Sequence, residues 1–233
     1  MEAIILAGGL GTRLQSVVSD VPKSMALINN RPFLEYMLDY LIHSGIQRVV
    51  LAVGYKHEAI SSHFGDRYKQ LEISYSVENE PLGTGGAVRL AFWKITGDRA
   101  LILNGDSMFR VDFRLMYERH IKKTADITIA MLKTDQAERF GTILVNKNNR
   151  ITAFQEKNGE VKAGLINGGV YYIEKKFLMN PMFRGKFSLE KECFEPLVQR
   201  SRFFGYRSNA YFIDIGIPSD YNKAQDDFRQ FKD

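Results

Sequence analysis

One cysteine, Cys193, is all that the 233-residue sequence carries, so no internal disulfide can staple the fold, and a reducing compartment suits such a chain. Proline is sparse at six residues and never clusters into a stiff linker. Histidine is sparser still. The four (His43, His57, His63 and His120) fall outside every motif described below, which argues against chemistry built on an imidazole base. Neither sign of charge forms a block: 32 Lys and Arg against 27 Asp and Glu leave a net charge of +5, a mild bias that suits an anionic ligand without naming one. With no arginine-rich helix or basic run, nucleic-acid binding is not expected. Nowhere do about 18 apolar residues run together, so no membrane span is expected. The first residues enter a strand without the charged leader and apolar core of a secretory signal, and the expectation is a soluble, cytoplasmic chain.

What is present is an alternation. "AIILA", "RVVLAVG", "LEISYSV" and "ALILNGD" are strand-like and rich in β-branched residues. Between them lie helix-like stretches: "RPFLEYMLDYLIHSG", with Phe33, Leu34, Met37, Leu38, Leu41 and Ile42 at helical spacing before Gly45, then "HEAISSHFG" and "TGGAVRLAFWK". Parallel neighbours need crossover connections, so this order predicts an α/β, Rossmann-like fold with a mixed, mainly parallel sheet flanked by helices. From Asp126 onward strands follow one another with fewer helices between, which predicts a small antiparallel addition. No linker, repeat or low-complexity stretch divides residues 1–233, read as one domain.

Ligands of such sheets bind at the carboxyl ends of the strands, at a topological switch. The segment "AIILAGGLGTRL" ends there, with Gly8, Gly9 and Gly11 able to bring bare backbone amides to a phosphate. It lacks the Lys-Ser/Thr ending of a P-loop, and Leu14 stands where a dinucleotide fingerprint needs its third glycine. Arg13 and Lys23 add two cations near the same edge, which favours a phosphate clamp over a pair of solvated surface charges. Asp106, after a strand, reads equally as a turn residue. Asp214 lies inside the apolar "YFIDIG", where a carboxylate is costly unless paired or metal-bound.

"LAGGLGTRL" followed by "PKSM" resembles the signature of the sugar-1-phosphate nucleotidyltransferases. The resemblance continues in the family's order through "EPLGTGGA", "LNGDS", "FGTI", "FQEK", "NGGVY" and "FIDIGIP" and spans nearly the whole chain. It implies a single nucleotidyltransferase domain with Arg13 and Lys23 as catalytic cations on the triphosphate. Leu6, Ala7, Gly8, Gly9, Gly11, Thr12, Glu80 and Gly85 would bind the nucleotide. Asn104, Gly141, Glu156, Lys157, Asn167 and Gly169 would bind the sugar phosphate, with Lys157 on its phosphate. Asp106 and Asp214 would hold Mg²⁺, a hard ion suited to carboxylate and phosphate oxygens. Two departures touch the sugar contacts: Asn158 stands where the family usually has Pro, and Asn167-Gly168-Gly169 replaces its Asn-Ala-Gly.

Thymidylyl and uridylyl members commonly carry glutamine before the Pro-Leu-Gly stretch, and this chain has Glu80, with Glu78 nearby. An ionised carboxylate only accepts hydrogen bonds, and guanine alone offers it two adjacent N–H donors, so GTP is the expected nucleotide. As it stands the chain carries no C-terminal β-helix, and the resemblance then favours a heptose 1-phosphate as sugar. Mannose 1-phosphate with GTP, or glucose 1-phosphate with a thymidylyl or uridylyl donor, are the alternatives. Rival classes are a nicotinamide-dependent oxidoreductase, which the poor fingerprint disfavours, and a nucleotide-sugar sensor, which would not need Arg13, Lys23 and both acids. Phe203, Phe204 and Tyr206 read as exposed aromatics that leave a homo-oligomeric contact open, core packing being the other account.

Overall fold

The computed structural model describes residues 1–9, 21–155 and 162–231. In chain order its first half comprises β1 (Glu2–Leu6), β2 (Leu27–Ile28), β3 (Arg31–Pro32), α1 (Phe33–His43), β4 (Arg48–Val53), α2 (His57–Phe64), β5 (Arg67–Tyr68), β6 (Leu71–Val77), α3 (Gly83–Ala91), β7 (Arg99–Asn104) and β8 (Ser107–Phe109). The second half adds α4 (Phe113–Lys122), β9 (Ile127–Thr134), β10 (Thr142–Val145), β11 (Ile151–Gln155), β12 (Gly164–Glu174), α5 (Lys175–Leu178), α6 (Glu195–Leu197), β13 (Phe203–Arg207), β14 (Phe212–Asp214) and α7 (Pro218–Asp227).

β1 is apolar from Ala3 to Leu6 because it is central: it pairs in parallel with β4 on one side and β7 on the other, and Ala3, Ile4 and Ile5 are buried. β6 continues the parallel set beyond β4, giving the spatial order β6-β4-β1-β7. Chain direction across the sheet therefore reverses beside β1, and the carboxyl ends of β1 and β7 flank the switch point. Side chains alternate between two cores. Ala3 and Ile5 pack with Phe33, Leu38 and Phe113, whereas Ile4 packs on the other face with Val88, Phe92 and Phe194.

α1 starts directly after Pro32, whose extended ψ of 136° cannot continue backwards as helix. It stops at Gly45, which takes a φ of +76° while its amide caps the Ile42 carbonyl, as the sequence pattern required. The third helical stretch is shorter than its periodicity suggests: α3 ends at Ala91 and tightens into a 3-10 turn over Phe92–Lys94.

The antiparallel strands do not form a separate layer. β12 extends the same sheet: one edge pairs with β9 on both sides of an irregularity between Asn167 and Tyr171, and the other edge passes from β10, at Leu165 and Ile166, to β7, at Val170–Glu174. β13 lies parallel to β9, with Phe203 and Tyr206 both buried, so core packing is the account that holds for those two aromatics. Two small antiparallel pairs, β8 with β14 and β2 with β3, stand off the main sheet. No helix among the described residues is long and apolar enough to cross a membrane.

Candidate active site

A cleft of about 350 Å³ opens at the switch point. Leu6, Ala7, Gly8 and Gly9 form one wall at the end of β1, and Asn104, Gly105 and Asp106 form another at the end of β7. The two strand ends are drawn together by Gly105, whose amide donates to the Leu6 carbonyl at 3.0 Å. A Cβ there would stand 2.4 Å from that oxygen, so only glycine permits the approach. Gly8 is packed on Gly54 and on the Glu78 carboxylate, which is why the loop is bare at that position.

Lys23 is buried on the 3-10 turn Lys23–Met25, with Pro22 fixing the entry. Its ammonium lies 2.6 Å from Asp106 Oδ2 and 3.6 Å from Asp214 Oδ1. The acids come from distant stretches but meet because β14 pairs with β8, placing Asp214 opposite Ser107, while the Ile215 amide donates to the Asp106 carbonyl. A buried ammonium costs several kcal/mol unless paired, and these carboxylates are its compensation. Asp214 can therefore sit in an apolar strand because it faces a cation.

Two carboxylates beside the cleft bring hard oxygen donors together. No third histidine, cysteine or acid joins them among the described residues. Such a sparse set suits a divalent ion that keeps water and takes phosphate oxygens for its remaining ligands, so the residues fit that group.

The remaining predicted residues divide. Asn104 lines the cleft, and its Oδ1 is buried without a hydrogen-bond partner among the described residues, as is Ser24 Oγ beside Lys23. Asn104 and Ser107 press on Gly169: its φ is +72°, and a Cβ there would come within 2.9 Å of Asn104 Nδ2 and 2.8 Å of Ser107 Oγ. Asn167 is held in place by its own amide group, which accepts from the Gly169 N–H and donates to the Tyr171 hydroxyl. Its backbone N–H donates to the Gly141 carbonyl, so Gly141, Asn167 and Gly169 form a connected group behind Asn104, which alone of the four lines the cleft. Gly168 departs from alanine for a visible reason: a Cβ would lie 2.3 Å from the Phe109 ring.

Gly85 is buried away from the cleft. Its amide donates to the Phe187 carbonyl, and a Cβ would lie 2.1 Å from the Phe187 ring. Its neighbours Gly83 and Thr84 line the cleft instead. Glu80 is exposed and outside the lining, whereas Glu78 is part of it, with Oε2 accepting from the Leu82 amide at 3.0 Å. Gly11, Thr12, Arg13, Glu156 and Lys157 lie outside the described residues. None of the histidines lines the cleft; His120 is buried against Thr128 and Glu174. Ser24 and Thr84 were not anticipated. Ser24's only signal was its place beside Lys23, and Thr84's was its place between two glycines at a helix start.

A doubly wound sheet, with a buried lysine and two acids gathered at its switch point, defines a nucleotide-binding enzyme of the α/β class. Residues 2–230 match the Nucleotidyl transferase family, and the chain belongs to it. Members of this family generally use a divalent metal. The chain is 50% identical to a D-glycero-alpha-D-manno-heptose 1-phosphate guanylyltransferase of Aneurinibacillus thermoaerophilus, over 99% of this chain and 100% of that protein. It is 42% identical to the enzyme of the same name from Campylobacter jejuni, over 95% and 97% of the two chains. The crystal structure of HddC from Yersinia pseudotuberculosis complexed with GMP-PN is 37% identical and superposes with a TM-score of 0.86, covering 97% of this chain and 99% of that one.

Proposed function

We propose that the protein joins GTP and D-glycero-α-D-manno-heptose 1-phosphate to give GDP-heptose and pyrophosphate. The observation that carries the reaction class is the convergence of Asp106 and Asp214 on Lys23, with Lys23 and Asp106 lining the same cleft as Gly8 and Gly9. The choice of substrates draws on the full-length likeness to guanylyltransferases.

In this reading an oxygen of the sugar phosphate attacks the α-phosphorus of GTP in line, and the bond to pyrophosphate breaks. A phosphate monoester has a second pKa of about 6, so the attacking oxygen is already anionic near neutral pH and needs no general base. This agrees with a cleft free of histidine among the described residues. Lys23 absorbs charge developing around the α-phosphorus, and Arg13 and Lys157 would extend that role by the family resemblance. Asp106 and Asp214 would hold Mg²⁺, which when bound supplies a hard positive charge that neutralises triphosphate oxygens. Asn104 offers its unpartnered Oδ1 to a sugar hydroxyl in the cleft, with Gly169 packed behind it. Of the two candidate base readers, Glu78 is favoured over Glu80 because its carboxylate lies in the cleft wall.

The test is a matrix of nucleoside triphosphates against sugar 1-phosphates, read by pyrophosphate release with and without Mg²⁺. GTP with the heptose phosphate should give the highest kcat/KM, and omission of the metal should remove turnover. Equal efficiency with mannose 1-phosphate would overturn the heptose assignment, and preference for dTTP or UTP would overturn the base assignment.

A further inference from the structure

Gly216 lies between Asp214 and α7 and touches both charged partners of the proposed metal site. Its amide donates to Asp214 Oδ1 at 2.7 Å. A Cβ built on it would stand 2.6 Å from that same oxygen and 2.9 Å from Lys23 Nζ, closer than a carbon can approach either atom. The backbone does not ask for glycine here, because Gly216 is absent from the positive-φ residues of the described chain. A side chain at this position would have to displace the carboxylate and the ammonium.

We infer that Gly216 is a positioning residue for Asp214. Its N–H and the Lys23 ammonium together fix Oδ1, which arrests rotation of the carboxylate and sets the face it offers to a cation. The missing Cβ leaves Asp214 and Lys23 undisturbed in this arrangement. This rests on reading Asp214 as a metal carboxylate, and it assigns Gly216 a role through Asp214, not a contact with substrate.

The deciding experiment compares Gly216→Ala with Gly97→Ala, whose Cβ meets nothing nearer than 3.4 Å. Mn²⁺ binding to the nucleotide-free protein is followed by electron paramagnetic resonance, beside the metal activation constant in the rate assay. Gly216→Ala should weaken Mn²⁺ binding by about tenfold and raise the activation constant in step, as loss of an outer-shell partner does elsewhere. Its KM for the sugar phosphate should stay within about twofold, since that substrate is not held through Asp214. Gly97→Ala should change neither metal parameter. Unchanged Mn²⁺ binding in Gly216→Ala, or a fall in kcat alone, would overturn the inference. Should that variant fold poorly, the wild-type ¹⁵N–¹H spectrum decides. The Gly216 amide should shift on Asp214→Asn and broaden under trace Mn²⁺ before the Gly97 amide; an amide indifferent to both overturns the assignment. If Asp214→Asn itself binds Mn²⁺ normally, the metal reading falls first, whatever Gly216→Ala does.

Discussion

Lys23 stands where three stretches of chain meet, and its environment accounts for why the residue types around it are so restricted. Its ammonium is satisfied by Asp106 and Asp214, so neutralising either acid leaves a buried positive charge with one partner instead of two. Asp106→Asn should therefore lower turnover about a hundredfold or more while the far-ultraviolet spectrum is retained, because the group lost acts on charge that develops during the reaction. Near-normal pyrophosphate release would contradict its role. Base reading can be tested at the same scale. Glu78 borders the cleft and Glu80 does not, so Glu78→Gln should cut kcat/KM for GTP by about tenfold relative to UTP, and Glu80→Gln should leave that ratio within about twofold. The reverse outcome would return the role to Glu80. That Lys23, Asp106 and Asp214 meet was legible in the sequence because each sits in a fixed motif, the two acids at strand ends and Lys23 on the 3-10 turn after Pro22. The choice between Glu78 and Glu80 was not, because it depends on how the chain turns after β6, with Glu78 held back by the Leu82 amide.

α3 shows the same contrast at the scale of an element. Its "GTGGA" start reads as a place for a ligand to approach backbone, yet most of the space is filled by protein. The Phe187 carbonyl accepts from the Gly85 and Gly86 amides, and the Phe187 N–H donates to the Leu82 carbonyl. Phe187 thus satisfies donors that a helix N-terminus leaves open, and its ring lies on Gly85 and stacks on Phe183. Thr84 fastens the same start to the following segment, donating to Glu190 and accepting from the Leu189 amide. No local pattern could reveal this, because Phe187 lies far along the chain. Gly85→Ala should destabilise the protein by roughly 1–3 kcal/mol through overpacking, measured by urea unfolding. Adding Phe187→Leu should recover part of that loss, since residues in direct contact are not additive. A Gly85→Ala protein that unfolds like the wild type and has a raised KM for GTP would instead place the glycine at the ligand.

Across the whole molecule the two ends of the sheet carry different kinds of polar chemistry. The carboxyl ends of β1 and β7 hold the cleft; the opposite edge holds a buried network. There His120 on α4 bonds Thr128 on β9 through Nδ1 and Glu174 at the end of β12 through Nε2, and Arg99 at the start of β7 bonds Glu174 at 2.5 Å. This ties α4 to three strands, including the β7–β12 junction where the parallel and antiparallel parts of the sheet join. The parallel half was legible because its strands and helices alternate. The junction was not, since nothing in the run of strands after Asp126 says that β12 crosses back to β7. Burial lowers the His120 pKa below its ordinary value, with facing Glu174 and Asp126 opposing the shift and Arg99 reinforcing it. The unfolded chain therefore takes up this proton first as pH falls. The stabilisation is complete above the unfolded pKa of about 6.5 and is lost as pH drops from there toward the lower folded value. Urea unfolding between about pH 7.5 and 5.5 should show wild-type stability falling with acid, and His120→Gln should flatten that slope while lowering stability at the upper end. An unaltered slope would mean that other groups carry the acid sensitivity. Because the network lies at the edge opposite the cleft, His120→Gln should leave the pH profile of kcat unchanged, and a shift in that profile would show that the two ends of the sheet are coupled.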